Sequence, residues 1–291
     1  MEIRTLRTFL MVADVGTIVE ASRRLNCVQS NVTSRIKALE EELGVTLFTR
    51  SRSGMSLTSA GAVLRDHART VLRAERDASI ALSSHTSGGG LLRIGSMEST
   101  FATRLPACIG RFCGQNPTAR IDLQSGPTEE LVSLTLNGRI DVALIGGAYA
   151  HPDLRAVPVF NEEMVLISAQ NAQRIEDAIQ ARLIVFRPGC SYRFYAETWV
   201  KRQGLGPNEI VELGTLDGIL GCVASGVGVS ILPKSVVQAS VHRNMLYMHE
   251  LDGADRFIDT YAIHRRSSGT AGLIEEFLSA LHTPQAPALA S

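Results

Sequence analysis

No apolar run in this 291-residue chain approaches the roughly 18 to 20 residues that a membrane-spanning helix needs, and no membrane partner is expected. The opening segment, MEIRTLRTFL, lacks the positive-then-apolar pattern and cleavage site of a secretory signal, so a cytoplasmic location is expected. Five cysteines (Cys27, Cys108, Cys113, Cys190 and Cys222) show no CxxC and no ladder of short spacings, so neither a disulfide scaffold nor a zinc site is indicated. They read as reduced thiols packed as small hydrophobes, with a Cys190–Cys222 redox pair as the alternative. Seven histidines include no HExxH or HxxxH, and Gly226-Val227-Gly228 lacks the remaining glycines of a dinucleotide loop. No metal, cofactor or enzymatic activity is therefore expected. A cysteine nucleophile would need a positioned histidine, which no pattern here supplies.

An excess of charge is missing too: 29 Lys and Arg balance 29 Asp and Glu. The distribution is more informative than the total. Residues 1–90 hold 12 basic and 9 acidic side chains, leaving 17 and 20 for the rest, a shift from +3 to −3. Its sign favours nucleic-acid binding at the N-terminus. The length and the 45% apolar content suit two or three globular domains with cores of their own.

Leu6, Phe9, Leu10 and Ala13 form an amphipathic helical stripe that Gly16 ends. Thr17 and Glu20 have the Thr-x-x-Glu spacing of a capping box for a short second helix, which buries Ala21 and Leu25 before a turn at Asn26–Cys27. A third helix is predicted from about Ser30 to Leu43, with Gly44 as its stop. Val32, Ile36, Leu39 and Leu43 make its buried face; Ser30, Ser34 and Lys37 lie opposite, flanked by Asn31, Thr33 and Ala38. Small polar groups with an occasional cation allow close approach to base edges in a major groove. A merely solvated face is the alternative, although such a face usually carries more Glu and Lys. Glu40, Glu41 and Glu42 are expected at the end away from phosphates.

Two short alternating strands, about 47–50 and 55–58, flank Ser51–Gly54 as a hairpin with Arg50 and Arg52 at its tip. Such a wing would meet phosphate or the minor groove. From Thr58 to about Ser84 the chain reads as one helix of around 40 Å, capped by Thr58 or Ser59. Leu64, Ala68, Val71, Ala78 and Leu82 keep heptad spacing, interrupted by Glu75, so it is read as a dimerisation helix. A plain interdomain spacer is the alternative. Thr86-Ser87-Gly88-Gly89-Gly90 marks the clearest domain boundary.

Beyond the glycines, strand-like and helical patterns alternate as in an α/β domain. Strands are predicted at 91–95, 120–124, 140–145, 154–160, 164–168, 183–186, 210–213, 227–232, 245–251 and 258–264. Helices are predicted at 100–116, 129–137, 192–203, 216–225 and 271–281. Residues 284–291, rich in Pro and Ala, are expected to be disordered.

Together these residues resemble a LysR-type transcriptional regulator. The likeness is carried by Phe9, Ala13, Gly16, Ala21, Leu25, Gln29, Val32, Thr33, Ile36, Leu39, Glu40, Leu43, Gly44, Leu47, Phe48, Arg50, Leu57, Thr58 and Gly61 at the family's spacing. In the family the reading segment begins Ser-Gln-Pro-Ala-Val-Ser; here it is Val28-Gln29-Ser30-Asn31-Val32-Thr33, so the capping serine is replaced by Val28. Ser30 and Asn31 bring additional hydrogen-bonding groups, and sequence preference is not transferable from relatives with the commoner pattern.

The resemblance implies a multidomain architecture. A winged helix-turn-helix domain (1–58) and a linker or dimerisation helix (59–87) precede an α/β effector domain with two lobes like a periplasmic binding protein. Lobe one is 88–161 with 267–283 and lobe two is 162–266, the chain crossing near Asn161–Glu162 and Arg265–Arg266. The implied partners are double-stranded promoter DNA, a small-molecule effector (an organic acid or amino-acid-like compound) and copies of the same chain, assembled as a tetramer from two dimers. The DNA-binding set is Gln29, Ser30, Asn31, Thr33, Ser34, Arg35, Lys37, Arg50 and Arg52.

Ligands in open α/β sheets lie beyond the carboxyl ends of the strands. The family's effector contacts come from such places, which here carry Ser99, Thr100, Thr128 and Ser191; helix capping is the alternative role for each. Glu98 would suit an amine on the ligand. Arg104 and Arg193 could add positive charge, though surface exposure is the simpler expectation. A solute-binding or transport component shares the α/β half but not the attached N-terminal helices. A ligand-responsive regulator is the reading that uses the whole chain.

Overall fold

The computed structural model describes residues 1–51, 54–87, 89–171, 182–204, 209–253 and 256–282, which divide into two units at Leu82/Ser83. Arg52, Gly88 and the 284–291 tail lie outside the described residues.

The first unit contains α1 (Ile3–Val15), α2 (Ile18–Arg24), α3 (Gln29–Leu43), the hairpin β1 (Phe48–Ser51) and β2 (Gly54–Leu57), and the start of α4 (Ser59–Ser87). Leu6, Phe9 and Val12 of α1 meet Val32, Ile36 and Leu39 of α3 in one core, where Phe9 and Phe48 pack with ring centroids 5.3 Å apart. Leu43, expected in that core, is the last residue of α3 and is exposed. Gly16 closes α1 in the left-handed conformation, its N–H donating to the Val12 carbonyl at 2.9 Å. Half of the anticipated capping box forms. Thr17 Oγ1 accepts the Glu20 N–H at 3.2 Å, but the Glu20 carboxylate takes Arg23 and Arg24 instead, and those hydrogen bonds hold its pKa down to about 2.

The long helix corrects one expectation. Ala60, Leu64, Ala68 and Leu72 of α4 pack into the N-terminal core, so the first part of the predicted seam is already covered within the chain. Arg7–Glu75 (2.8 Å) and Asp14–Arg69 (3.3 Å) tie the same stretch to α1. Val71, Ala78 and Leu82 remain exposed at heptad spacing. Thr86 and Ser87, expected in the linker, continue the helix.

In the second unit, β3 (Leu91–Ser96) runs parallel to β4 (Arg120–Ser125) and β5 (Val142–Gly146), and β11 (Phe257–Arg265) lies antiparallel between β5 and β6 (Leu154–Ser168). The far half of β6 pairs with β9 (Ser230–Pro233) and β10 (Tyr247–Glu250), while β7 (Leu183–Phe186) and β8 (Ile210–Leu213) pair in parallel. β7 adjoins β9 through the Ile184 N–H and the Val229 carbonyl. Two lobes follow, ordered β4-β3-β5-β11-β6 and β8-β7-β9-β6-β10.

The 15-residue β6 replaces two predicted strands and crosses between lobes near Asn161–Glu163. The return crossing comes at the start of β11, near Phe257–Ile258, rather than at Arg265–Arg266, because residues 257–265 are already paired along the first half of β6. Strand patterning gives no partner, so this boundary was not legible locally.

Helices α5 (Glu98–Thr103) and α6 (Leu105–Gln115) replace one predicted helix. Pro106 opens α6 after Arg104, interrupting the hydrogen-bond ladder. With α7 (Thr128–Leu136) and α11 (Ala271–His282) they flank the first lobe, where Phe112 and Phe277 meet edge to face at 5.9 Å. The second lobe carries α8 (Ser191–Arg202), α9 (Leu216–Ala224), α10 (Lys234–Ala239) and a 3-10 turn at Arg243–Met245; the last two were not anticipated. One apolar cluster spans both lobes, joining Met97, Leu131 and Ile145 to Leu183, Tyr192 and Trp199.

Candidate functional site: recognition helix and interlobe cavity

Helix α3 starts at Gln29, one residue earlier than expected, with Val28 at the cap position and no side chain satisfying the first N–H groups. A four-residue turn separates it from α2, and Asn26 there takes the left-handed conformation (φ 49°) that Asn tolerates better than most residues. Gln29, Ser30, Asn31, Ser34 and Lys37 are exposed, while Thr33 is half-buried with its hydroxyl donating to the Gln29 carbonyl at 3.0 Å. Lys37 lies 3.5 Å from Glu41. Arg35 points back to α1, donating from Nη1 to Thr8 Oγ1 at 3.3 Å. The solvent face of α3 is thus lined by short hydrogen-bonding groups, as base-edge readout requires.

The hairpin is held to this helix by a residue whose role composition did not reveal. Glu40 Oε1 accepts the N–H groups of Leu47 (2.7 Å) and Phe48 (3.2 Å), anchoring β1 to α3. A second anchor is backbone: the Met55 N–H donates to the Gly16 carbonyl at 2.7 Å. Gly54, at φ +125°, permits that approach, since a Cβ there would run into the same Gly16 oxygen. Arg50 pairs with Met55 in the hairpin, and Ser51 with Gly54, the last pair before the turn.

In the second unit the carboxyl ends of β3, β4, β7 and β8 converge on a cavity of about 360 Å³. Its walls include Met97, Glu98 and Ser99 after β3, and Ser125, Gly126 and Glu130 after β4. Phe186, Arg187 and Cys190 close it after β7, and Gly214 after β8. The four predicted effector residues do not all face it. Ser99 lines this cavity; Thr128 and Ser191 line an adjoining hollow of about 590 Å³; Thr100 is buried beside Tyr192. Thr128 Oγ1 donates to Ser191 Oγ at 3.0 Å, which in turn donates to Met97 Sδ at 3.3 Å, so this chain of groups bridges the lobes. Burial pushes the Tyr192 phenol up to about 12, with the Glu162 charge acting in the same direction and the hydroxyls of Thr260, Ser99 and Thr100 opposing it.

Further ties span the lobes. Glu98 Oε1 accepts the Leu216 N–H at 2.9 Å, so one oxygen of the carboxylate expected to await an amine is committed to capping α9. The buried Glu162, at the crossing strand, accepts Arg104 Nε at 2.8 Å and the Ser235 hydroxyl at 2.8 Å. Arg104 and Arg193, expected on the surface, are half-buried and committed, the latter to Glu197 (2.8 Å) and Glu212 (2.6 Å). Arg187, which sequence patterning did not single out, is exposed in the cavity with its guanidinium against Gly214. Only the pairing of β7 with β8 brings these two together. Burial pushes the Cys190 thiol up, against the N–H groups of Arg193 and Tyr192, which disfavours a reactive thiolate.

A winged helix-turn-helix unit followed by a two-lobed α/β unit with a cavity at its strand ends defines a class of ligand-responsive DNA-binding proteins. Comparison makes the class specific. Residues 3–62 match the family described as bacterial regulatory helix-turn-helix protein, lysR family, and residues 85–284 match the LysR substrate binding domain. The chain is 38% identical over 278 residues to YusT of Bacillus subtilis (strain 168), an uncharacterised HTH-type transcriptional regulator, covering 96% of this chain and 94% of that one. It is 34% identical to the HTH-type transcriptional regulator GltR of the same strain, covering 96% and 95%. Full-length CbnR, solved in complex with its target DNA, shares the fold with a TM-score of 0.67 at 23% identity over 97% of this chain and 99% of that one. The chain belongs to the LysR family of transcriptional regulators: it is a sequence-specific DNA-binding protein with an effector-responsive domain. No described helix is long and apolar enough to cross a membrane.

Proposed function

We propose that Gln29, Ser30, Asn31 and Ser34 read base edges in the major groove, with Thr33 at the margin and Lys37 reaching phosphate or a base. Arg35 contacts the backbone from the α1 side, and Arg50 and Arg52 carry the hairpin onto phosphate or into the minor groove. The observation that carries this reading is the exposed polar stripe of α3, laid beside a hairpin fixed by Glu40. Full-length CbnR, which shares this fold and was solved on its target DNA, supports the same use of it.

The effector is a small organic acid or amino-acid-like molecule held between the lobes, drawing on Ser99, Thr128 and Ser191, with Thr100 supporting the wall behind Tyr192. Its binding shifts the balance of lobe arrangements and thereby the spacing of DNA-binding heads. Val71, Ala78 and Leu82 supply an apolar stripe for pairing two α4 helices, and two such dimers make the tetramer. The protein acts in the cytoplasm, where promoter DNA is.

The test is the salt dependence of promoter affinity. Arg50→Ala and Arg52→Ala should each lower the slope of log K against log salt by about 0.9 and weaken binding on all sequences alike. Asn31→Ala and Ser34→Ala should instead alter which operator variants are preferred. Slopes unchanged in both arginine variants remove the hairpin from the interface.

A further inference from the structure

The cavity at the strand ends carries an uneven charge pattern. Among the described residues, Arg187, at the end of β7 in the second lobe, makes no hydrogen bond or ion pair, although Arg182 and Arg193 on neighbouring elements of that lobe are both ion-paired. Across the cavity, in the first lobe, Glu130 is equally unpartnered among the described residues, its carboxylate beside Gly126. Glu98 lies on the same side with one oxygen committed to Leu216. A purely anionic ligand entering here would meet two carboxylates for one guanidinium. A purely cationic ligand would meet the guanidinium uncompensated. Arg187 and Glu130 are both exposed in the open cavity, and a ligand that strips water from them leaves one of these charges unpaired in either arrangement, which is costly.

Resting on the proposed effector role of this cavity, we infer that its ligand is a small zwitterion of amino-acid type, with its carboxylate on Arg187 and its ammonium on Glu130. Guanidinium and carboxylate match as a two-pronged hydrogen-bonded pair, while the ammonium is a compact donor suited to a carboxylate wall. Met97 and Phe186 leave room for a modest apolar substituent, and a volume of about 360 Å³ is within the range of small-molecule sites. The two charged contacts stand on different lobes. The ligand itself therefore completes a cross-lobe link, parallel to Thr128–Ser191, and favours the arrangement in which both contacts are made.

The test uses the full-length protein and the buried Trp199 of the second lobe as fluorescent reporter. The twenty common L-amino acids are screened singly by thermal shift. Each one that stabilises is titrated against its amine-free acid and its carboxylate-free amine. At least one amino acid should raise the unfolding midpoint, and removing either charge should weaken binding about 10- to 100-fold. In Arg187→Ala the amino acid and its carboxylate-free amine should bind alike. Gly214→Ala should do the same by displacing the guanidinium, because a Cβ there would sit 2.9 Å from Nη2 at the end of a flexible side chain.

An acid that binds as tightly as its amino acid, and is lost in Arg187→Ala, overturns the zwitterion while leaving the cavity as the effector site. A ligand insensitive to both Arg187→Ala and Gly214→Ala lies elsewhere and overturns both. A panel in which no amino acid stabilises the protein overturns the zwitterion; the amine-free acids and carboxylate-free amines are then screened by themselves, and one whose binding is lost in Arg187→Ala keeps the cavity as the effector site.

Discussion

Replacing Glu40 with alanine isolates one contact between the recognition helix and its hairpin. The carboxylate accepts two N–H groups, a short bond from Leu47 at 2.7 Å and a longer one from Phe48 at 3.2 Å. Both donors belong to buried residues. Hydrogen bonds to a charged group contribute about 1.5 to 3 kcal/mol, and an abandoned buried donor adds its desolvation cost. Glu40 is half-exposed, however, so water reaches part of the vacated space, and the longer bond is the weaker. A net loss of about 2 kcal/mol follows, equivalent to a fall of about 8 to 16 °C in the melting of a domain this small.

Far-ultraviolet dichroism in urea follows the N-terminal unit together with the rest of the chain. The sole tryptophan, Trp199, lies in the second unit and reports that unit separately. Glu40→Ala should move the dichroism transition that Trp199 does not report. Glu40→Gln, which retains a neutral acceptor, should lose about half as much. A loss below about 0.5 kcal/mol in Glu40→Ala, the range of ordinary surface substitutions, would refute the anchoring role.

Gly54→Ala forces a side chain onto a backbone at φ +125° and against the Gly16 carbonyl; a cost of about 1 to 3 kcal/mol and weaker promoter binding are expected, both measurable on the purified variant. Thr128→Val removes the hydroxyl that donates to Ser191 and should weaken effector binding about 10-fold by calorimetric titration; unchanged affinity removes Thr128 from the site. Burial depresses the pKa of His249 and His264 below the usual 6.5, so folding favours their neutral forms. Their stabilising contribution is present above pH 6.5 and is lost as pH falls through the depressed values. Urea midpoints read at Trp199 should therefore drop below pH 6.5, and His249→Gln should shallow that drop; an identical acid limb in the variant would exclude His249.

Much of the N-terminal unit was legible because its signals are local. The Leu6–Phe9 stripe, Gly16, the Thr17 cap and Gly44 each act within a turn or two of chain, and each has its structural counterpart. Failures came where local pattern and long-range packing compete. Leu64 and Ala68 fit a dimer seam and a core face equally well by spacing, and only their place in the apolar cluster that holds the buried residues of α1 and α3 assigns them to the core. The same limit applies to β6, whose halves read as two strands until each is seen paired in a different lobe.

Local patterning sufficed to read the family, the helix-turn-helix with its hairpin, and the alternation of strands and helices beyond the glycines. Periodicity, caps and turn residues are properties of neighbours in the chain. Tertiary structure alone decided where the chain returns to the first lobe, that Glu98 caps α9, and that Arg104 serves Glu162 at the crossing strand. It also decided that Arg187 and Glu130 stand in the wall of one cavity without a partner among the described residues. Those facts depend on which strands pair across long stretches of sequence, and a side chain's partner is fixed only once that pairing is made.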